Sequence, residues 1–460
     1  MRIVSDVSSK VARWLRPLTP GRPATECQGR GAEDVILYHF FQKERWQAAL
    51  DKCVGKDMRY APLRRLASPQ ARVALCRDIV EGRYEIAPPR SVLIPKEGAR
   101  GEYREVYVSA DEDRLLLGIA NDLLFDLMPE MVHPACKSYQ RGTGTGKVVR
   151  HIAQVLSTLA QDAGAEHELG WKADLSKYFD SVPLELIDAI FDQVEAKWGR
   201  SALTTLIRRH YHSQDYVDRD GVVGHKYMSL RQGCAVSAFL ADAVLYGVDS
   251  RLAALDGYYV RYSDDMLFLG PDSRRAMDIL TDELARMGLS LNPRKVSAVR
   301  ADRWFTFLGF SIRGSLISIS PSQLKTFQRE VLSRTVRKAR TPQAAARAVQ
   351  RYLYVGNGKY SWATRVLQYI NAHDDIQALN EYVMDALRAS ATGHRRIGAL
   401  AHDPTGKSGC VRRMLGRNVA HNRATTPQEI EGYRSLACMK RAMSLSKPLY
   451  EAMLRDLQLT

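Results

Sequence analysis

The stretch Tyr258–Gly270 reads YYVRYSDDMLFLG, with two adjacent aspartates set between apolar and aromatic runs. Residues 258–262 and 266–269 have strand composition, and the polar SDD between them fits a tight turn. The stretch therefore reads as a β-hairpin with Asp264 and Asp265 at its tip. Two carboxylates a few ångströms apart cost about 4 kcal/mol at an effective dielectric near 20. A divalent cation would offset that repulsion, and an ordinary polar turn is the bland alternative. The chain holds its own control, Asp374–Asp375 in AHDDIQ, where the surroundings are polar and helix-like.

A third carboxylate comes from KADLSKYFDSVP at 172–183, where Asp174 ends an apolar strand. If that strand neighbours the hairpin, three carboxylates could surround two Mg²⁺ ions, the arrangement that phosphoryl transfer to a 3′-hydroxyl uses. Alternatively, Asp174 caps the helix after it, although Ser181 and Pro183 already supply that chemistry.

The whole chain is consistent with such a substrate. It has 460 residues, 45% of them hydrophobic, enough for two or three domains. Lys and Arg number 67 against 51 Asp and Glu, an excess that suits a polyanion, nucleic acid before membrane. No apolar run reaches the ~18 residues of a spanning helix. The N-terminus lacks a signal-peptide segment, so a cytoplasmic chain beginning near Met1 is expected. Seven cysteines stand singly, with no C-x-x-C pair for zinc, and a reducing compartment fits them.

Outward from the hairpin, residues 17–33 read as a Pro/Gly-rich connection and 34–81 as helical. Runs 91–95 and 103–109 read as strands, and 111–128 and 147–162 as helices. HELGWKADL leads as a strand into a helix near 184–197. One helix is expected over 233–254, another over 272–288, and short strands over 304–319. At Ser320 a helix opens on Ser-Pro-Ser-Gln, a capping box with Pro at its first position. From there to Thr460 the pattern is mostly helical and basic. Leu324, Phe327 and Val331 line one face, while Lys325, Arg329, Arg334, Arg337, Lys338 and Arg340 lie mostly elsewhere. Tyr352, Tyr354, Tyr360 and Trp362 could stack on bases or fill the core.

Taken in order, these segments resemble a reverse transcriptase. DLSKYFD resembles motif A, RQGCAVSAFLAD motif B, YSDD the Y-x-D-D of motif C, LSLNPRKVSAV motif D and FTFLGF the primer grip. Upstream, VLIPKEGARGEYREVYV resembles the fingers segment and SYQRGTGTGK the motif that follows it in bacterial members. The match runs over about residues 90–315.

The resemblance implies an α+β right-hand polymerase: fingers and a palm whose antiparallel sheet carries helices, then a helical thumb and extension. The implied bounds are a leader and linker over 1–33, fingers over 34–165, palm over 166–315, and a basic thumb with an RNA-binding extension over 316–460. Asp174, Asp264 and Asp265, with Leu175 beside the first, are the implied metal-binding set, taking two Mg²⁺ with Mn²⁺ as an alternative. Lys96 and Arg104 match the residues that hold the triphosphate, Gln232 and Gly233 the pair beside the incoming nucleotide, and Phe179 the steric gate against a ribose 2′-hydroxyl. Lys295 matches a proton donor to pyrophosphate, and Phe307, Leu308 and Gly309 the primer grip. Arg141, Lys147, Arg337, Lys338, Arg395, Arg396, Arg412 and Arg413 are candidate nucleic-acid contacts.

RGTGTGKV at 141–148 is not a Walker loop, because Arg141 and Val148 stand where Gly and Ser or Thr are required. His394, His402 and His421 lack metal-ligand spacing. An RNase H constellation, a Cys-rich endonuclease and the V-T-G of retron thumbs are all missing, and Ala238 replaces the usual Pro of motif B. By elimination the chain resembles the defence-associated bacterial reverse transcriptases, which implies an RNA template, such as a structured non-coding RNA, with dNTPs as substrates and DNA as product. Template-independent or protein-primed synthesis is one alternative, and an RNA-binding maturase or scaffold without polymerase activity is another.

Overall fold

The computed structural model describes residues 34–53, 63, 66, 68–95, 101–336, 341–356, 360–403, 405, 410–416 and 432–459. The chain forms two compact units. One comprises Met1–Tyr139, Asp174–Leu255 and Ala276–Pro293, and the other Gln140–Ala173, Asp256–Arg275 and Arg294–Thr460. The expected leader over 1–33 lies outside the described residues.

In chain order the strands are β1 (Arg90–Pro95), β2 (Tyr103–Val108), β3 (Gly170–Asp174), β4 (Asp215–Val217), β5 (Val223–His225), β6 (Tyr258–Tyr262), β7 (Asp265–Leu269), β8 (Ser297–Val299), β9 (Phe305–Phe307), β10 (Phe310–Arg313), β11 (Leu316–Ile319), β12 (Ile397–His402) and β13 (Val411–Leu415).

The first unit carries the sheet β2-β1-β4-β5, in which β1 pairs antiparallel with β2 and parallel with β4. Helix Asp111–Leu127 opens on three acidic residues, which suit its positive end, and buries Leu116, Ile119, Ala120, Leu123 and Leu124. The 233–254 segment is not one helix. It breaks at Leu245 into Ser237–Val244 and Tyr246–Ala253. Helix Ala202–Ser213 and strands β4 and β5 were not anticipated; its Ser201 cap accepts from the Leu203 N–H.

The second unit carries three sheets: β6-β7-β3-β8, β11-β10-β9 and the pair β12-β13. One continuous core joins them, running from Val149, Ile152 and Leu156 through Val260, Leu267 and Leu269 to Phe310, Ile319, Phe327, Leu379 and Leu436. Phe327, expected on an apolar helix face, is fully buried and meets Trp362 at 4.8 Å between ring centroids. Of the four aromatics left open, Tyr354 and Trp362 are buried, whereas Tyr360 is exposed.

One expectation for the C-terminal third needs correction. The Ser320 cap is half a capping box: its Oγ accepts from the Gln323 N–H, but its own N–H goes to the Gly309 carbonyl. The region is mostly helical, as expected, and among its described residues β12 and β13 add one hairpin. Asp375 anchors that hairpin. Buried at the start of helix His373–Thr392, it accepts from the Cys410 and Val411 N–H groups at 3.0 Å each, and from Ser318 Oγ. Of the control pair, Asp375 is a structural anchor and Asp374 is exposed.

Candidate active site

The β6–β7 hairpin forms as expected, with one shift. Tyr262 pairs with Asp265, so the loop is only Ser263–Asp264, and Asp265 is the first residue of β7. Such two-residue loops need a positive φ, and Ser263 supplies it at 59°. Arg261 is fully buried and donates from Nη1 to the Ser263 carbonyl at 3.1 Å, which holds the turn from inside. Met266 to Leu269 are all buried. The carboxylates thus sit at the mouth of an apolar strand pair, with Asp264 in the turn.

Strand β3 lies next to β7 in the sheet. The Gly270 N–H donates to the Leu169 carbonyl at 2.8 Å, and Trp171 stacks on Phe268 with centroids 6.0 Å apart. Gly170 is required there, because a Cβ would fall 2.0 Å from the Phe268 carbonyl oxygen. These contacts join the start of β3 to the end of β7, so β3 runs toward the Asp265 end and finishes on Asp174. Asp174 is buried, and its carbonyl accepts from the Asn292 N–H at 2.8 Å. Leu175 follows, also buried, in an isolated bridge to Leu291.

All the donors on offer here are oxygens, the hard ligands that Mg²⁺ takes. Among the described residues no group of three or more His, Cys, Asp or Glu side chains is spaced to hold a metal ion. Mg²⁺ in nucleotide sites commonly binds through one or two carboxylates plus substrate phosphates, not in an all-protein cage. The donor chemistry therefore fits the ion.

In the first unit, Gln232 and Gly233 form a turn locked to β2: the Tyr107 N–H donates to the Gln232 carbonyl at 2.7 Å. Gly233 has φ +106°, and a Cβ on it would meet the Tyr107 carbonyl oxygen at 2.6 Å. The Gln232 side-chain oxygen is buried and has no hydrogen-bond partner among the described residues. Arg104 is exposed on β2, opposite Ile94. Phe179 is half-buried in the short helix Tyr178–Ser181, edge-on to Tyr178, and its carbonyl accepts from the Leu230 N–H. Burial raises the neighbouring Asp180 carboxyl.

Sequence reasoning missed what lies beneath this turn. Arg231 is almost wholly buried, with its Nη1 3.0 Å from His210 Nε2 and its Nη2 donating to the Tyr211 carbonyl at 3.2 Å. Burial, aided by the Arg231 charge, lowers the His210 pKa to about 3, so the ring is neutral. The only available signal was an arginine directly preceding Gln-Gly.

Among the remaining candidates, Phe307 ends β9, and Leu308 and Gly309 make the turn to β10, both at positive φ. Lys295 is exposed in the 3₁₀ turn Pro293–Lys295. Arg141 is exposed, and Lys147 donates to the Gly142 carbonyl at 2.7 Å. Arg395 packs over Tyr382, 4.7 Å from the ring centroid and 3.8 Å from Asp385, and Asp385 also receives the Arg396 N–H. Arg412 and Arg413 are exposed on β13, with Arg413 paired to Glu381. Lys96, Arg337 and Lys338 lie outside the described residues.

Residues 94–312 match the family model described as reverse transcriptase (RNA-dependent DNA polymerase). No curated protein matches the chain. Among solved structures, the chain is similar to telomerase from Candida albicans in complex with a fragment of telomeric RNA, at 15% identity and a TM-score of 0.41, over 68% of this chain and 55% of that one. It is also similar to the Sicinivirus 3Dpol RNA-dependent RNA polymerase, at 14% identity and a TM-score of 0.42, over 69% of this chain and 67% of that one. A partial Cas6-RT-Cas1–Cas2 complex is similar at 18% identity and a TM-score of 0.33, over 59% of this chain and 44% of that one. The chain thus spans little more than half the length of the telomerase it matches.

Proposed function

We propose that the chain, whose residues 94–312 match the reverse transcriptase family model, is an RNA-directed DNA polymerase acting through Asp174, Asp264 and Asp265. The supporting observation is the sheet order: β3, which ends on Asp174, lies next to β7, which begins with Asp265. Two Mg²⁺ ions, when bound, supply a lowered pKa for the primer 3′-hydroxyl and charge stabilisation for the leaving pyrophosphate.

The three carboxylates, with the Leu175 carbonyl, would hold those ions, and Arg104 with Lys96 would orient the triphosphate through charge-assisted hydrogen bonds. The Gln232–Gly233 turn would place its backbone close to the incoming nucleotide, and Gly permits that approach. Phe179 would bar a 2′-hydroxyl, and Lys295 would offer a proton to the pyrophosphate. The Phe307–Gly309 turn would position the primer end.

We assign fingers, palm and thumb roles to residues 34–165, 166–315 and 316–460. The exposed basic residues Arg141, Lys147, Arg396, Arg412 and Arg413 would carry the RNA and its DNA copy, with Arg337 and Lys338 proposed from the sequence alone and Arg395 a weaker candidate because its guanidinium is turned onto Tyr382 and Asp385. The proposed setting is the cytoplasm of a bacterium, with a dedicated non-coding RNA as template and antiphage defence as the purpose. Sequencing the nucleic acid that co-purifies with the protein tests this reading. One recurrent structured RNA together with its complementary DNA is the expected result; DNA unrelated to any bound RNA would instead mark untemplated or protein-primed synthesis.

A further inference from the structure

Beside β8 the second unit holds a cavity of about 360 Å³, whose walls include Lys172, Arg300, Arg303, Trp304, Thr306 and His402. No acidic side chain is among the described residues that line it. Lys172 reaches it from β3, with Nζ fixed by the Thr306 carbonyl at 2.9 Å. Arg300 is braced by Asp302, which accepts from Nε at 2.9 Å and Nη2 at 2.8 Å. Arg303 is exposed and forms no hydrogen bond or close ion pair among the described residues; its charge acts on the nearby Asp302 carboxyl.

Trp304 is half-buried, with the Arg313 guanidinium 5.1 Å from its ring centroid. Its buried indole N–H has no hydrogen-bond partner among the described residues. His402 is tied to Ser311 Oγ at 3.0 Å, and burial lowers its pKa, so the cavity's positive charge comes from Lys172, Arg300 and Arg303. The volume sits at the low end of the ~300–1,000 Å³ typical of small-molecule sites.

We propose that this cavity receives one nucleotide unit, its phosphate held by Arg303 with Arg300 and its base against Trp304. A nucleotide presents both an anion for the guanidinium groups and a π-face for the indole. Inorganic phosphate would leave the indole unused, and an apolar ligand would strand the cations. The unit is either a free nucleotide or one residue of a single strand, since both present this chemistry.

The test titrates full-length protein in EDTA, which removes the divalent ions that nucleotide binding at the Asp174–Asp264–Asp265 set would need. Tryptophan fluorescence is followed on addition of AMP, adenosine, inorganic phosphate, oligo(rA) or oligo(dA). Saturable quenching by AMP is expected, with adenosine and phosphate each about tenfold weaker or more. Arg303→Ala should weaken AMP binding by about tenfold or more, and Trp304→Phe should abolish the quench. Tighter binding of an oligonucleotide than of AMP identifies a strand as the occupant; the reverse order identifies a free nucleotide. Equal AMP binding by wild type and Arg303→Ala, or an undiminished quench in Trp304→Phe, would overturn the proposal. Nucleotide incorporation by the same preparations reports on the polymerase reading separately, and Arg303→Ala should retain it.

Discussion

Adding one methyl group at Gly233 tests whether the Arg231–Gly233 turn is a working part of the proposed nucleotide site. At φ +106° the residue is in a region that side chains rarely enter, and an alanine Cβ would stand 2.6 Å from the Tyr107 carbonyl oxygen. Holding an L-residue in such a conformation costs on the order of 1–3 kcal/mol. Moving the turn to relieve the clash would break the 2.7 Å bond from the Tyr107 N–H to the Gln232 carbonyl, worth about 1 kcal/mol more. Gly233 is exposed, so the turn can shift without opening the core, and the loss should appear mainly in activity. If about 2–4 kcal/mol falls on transition-state binding, kcat/KM for single-dNTP incorporation drops roughly 30- to 1,000-fold. The assay is rapid-quench incorporation on a primed RNA template, with a urea melt of the same protein as control. Gly233→Ala with unchanged kcat/KM and an unchanged melt would refute the reasoning.

Three further outcomes are expected. His210 is held neutral with its pKa lowered to about 3, whereas the unfolded ring titrates near ~6.5. The unfolded chain therefore gains a proton that the folded chain refuses. The neutral ring's contribution to stability is full above ~6.5 and is lost as the pH falls toward 3, by about 2 kcal/mol at pH 5; urea midpoints across that range should fall in the wild type and flatten in His210→Gln. Phe179→Ala should raise ribonucleotide relative to deoxyribonucleotide incorporation by about tenfold or more, measured by competition between rNTP and dNTP, and unchanged discrimination would remove the gate role. Asp375→Ala leaves the Cys410 and Val411 N–H groups without their acceptor and should cost roughly 3 kcal/mol, read as a lower denaturation midpoint with hydrogen exchange accelerated at β12 and β13.

The parts of this chain that were legible in sequence are those written in local periodicity. The β6–β7 hairpin, β1 and β2, helix Asp111–Leu127 and the Ser320 helix start each follow from composition and turn chemistry within a few residues. The break at Leu245 had a local signal in Val244, Tyr246 and Gly247, all weaker helix formers than alanine, but the helical apolar spacing that continues across it masked that signal. The β12–β13 hairpin was hidden because its strands are basic and glycine-flanked, and what holds them is Asp375, a residue far away in sequence. Arg261 and Arg231 were invisible for the opposite reason. Charged residues in apolar segments read as surface positions, yet one fills the inside of a turn and the other sits on a neutral histidine. The neighbourhood of β3 and β7 was conditional in sequence; the Gly170 contact with Phe268 shows why a glycine opens that strand.

The measurement that bears most directly on the central claim is Mg²⁺-dependent incorporation of labelled dNTPs on a primed RNA template, comparing wild type with Asp264→Ala. Wild type should synthesise DNA complementary to the RNA. The variant should lose synthesis by about a thousandfold or more while keeping its RNA binding and urea midpoint. Incorporation undiminished in a folded Asp264→Ala protein would contradict the account.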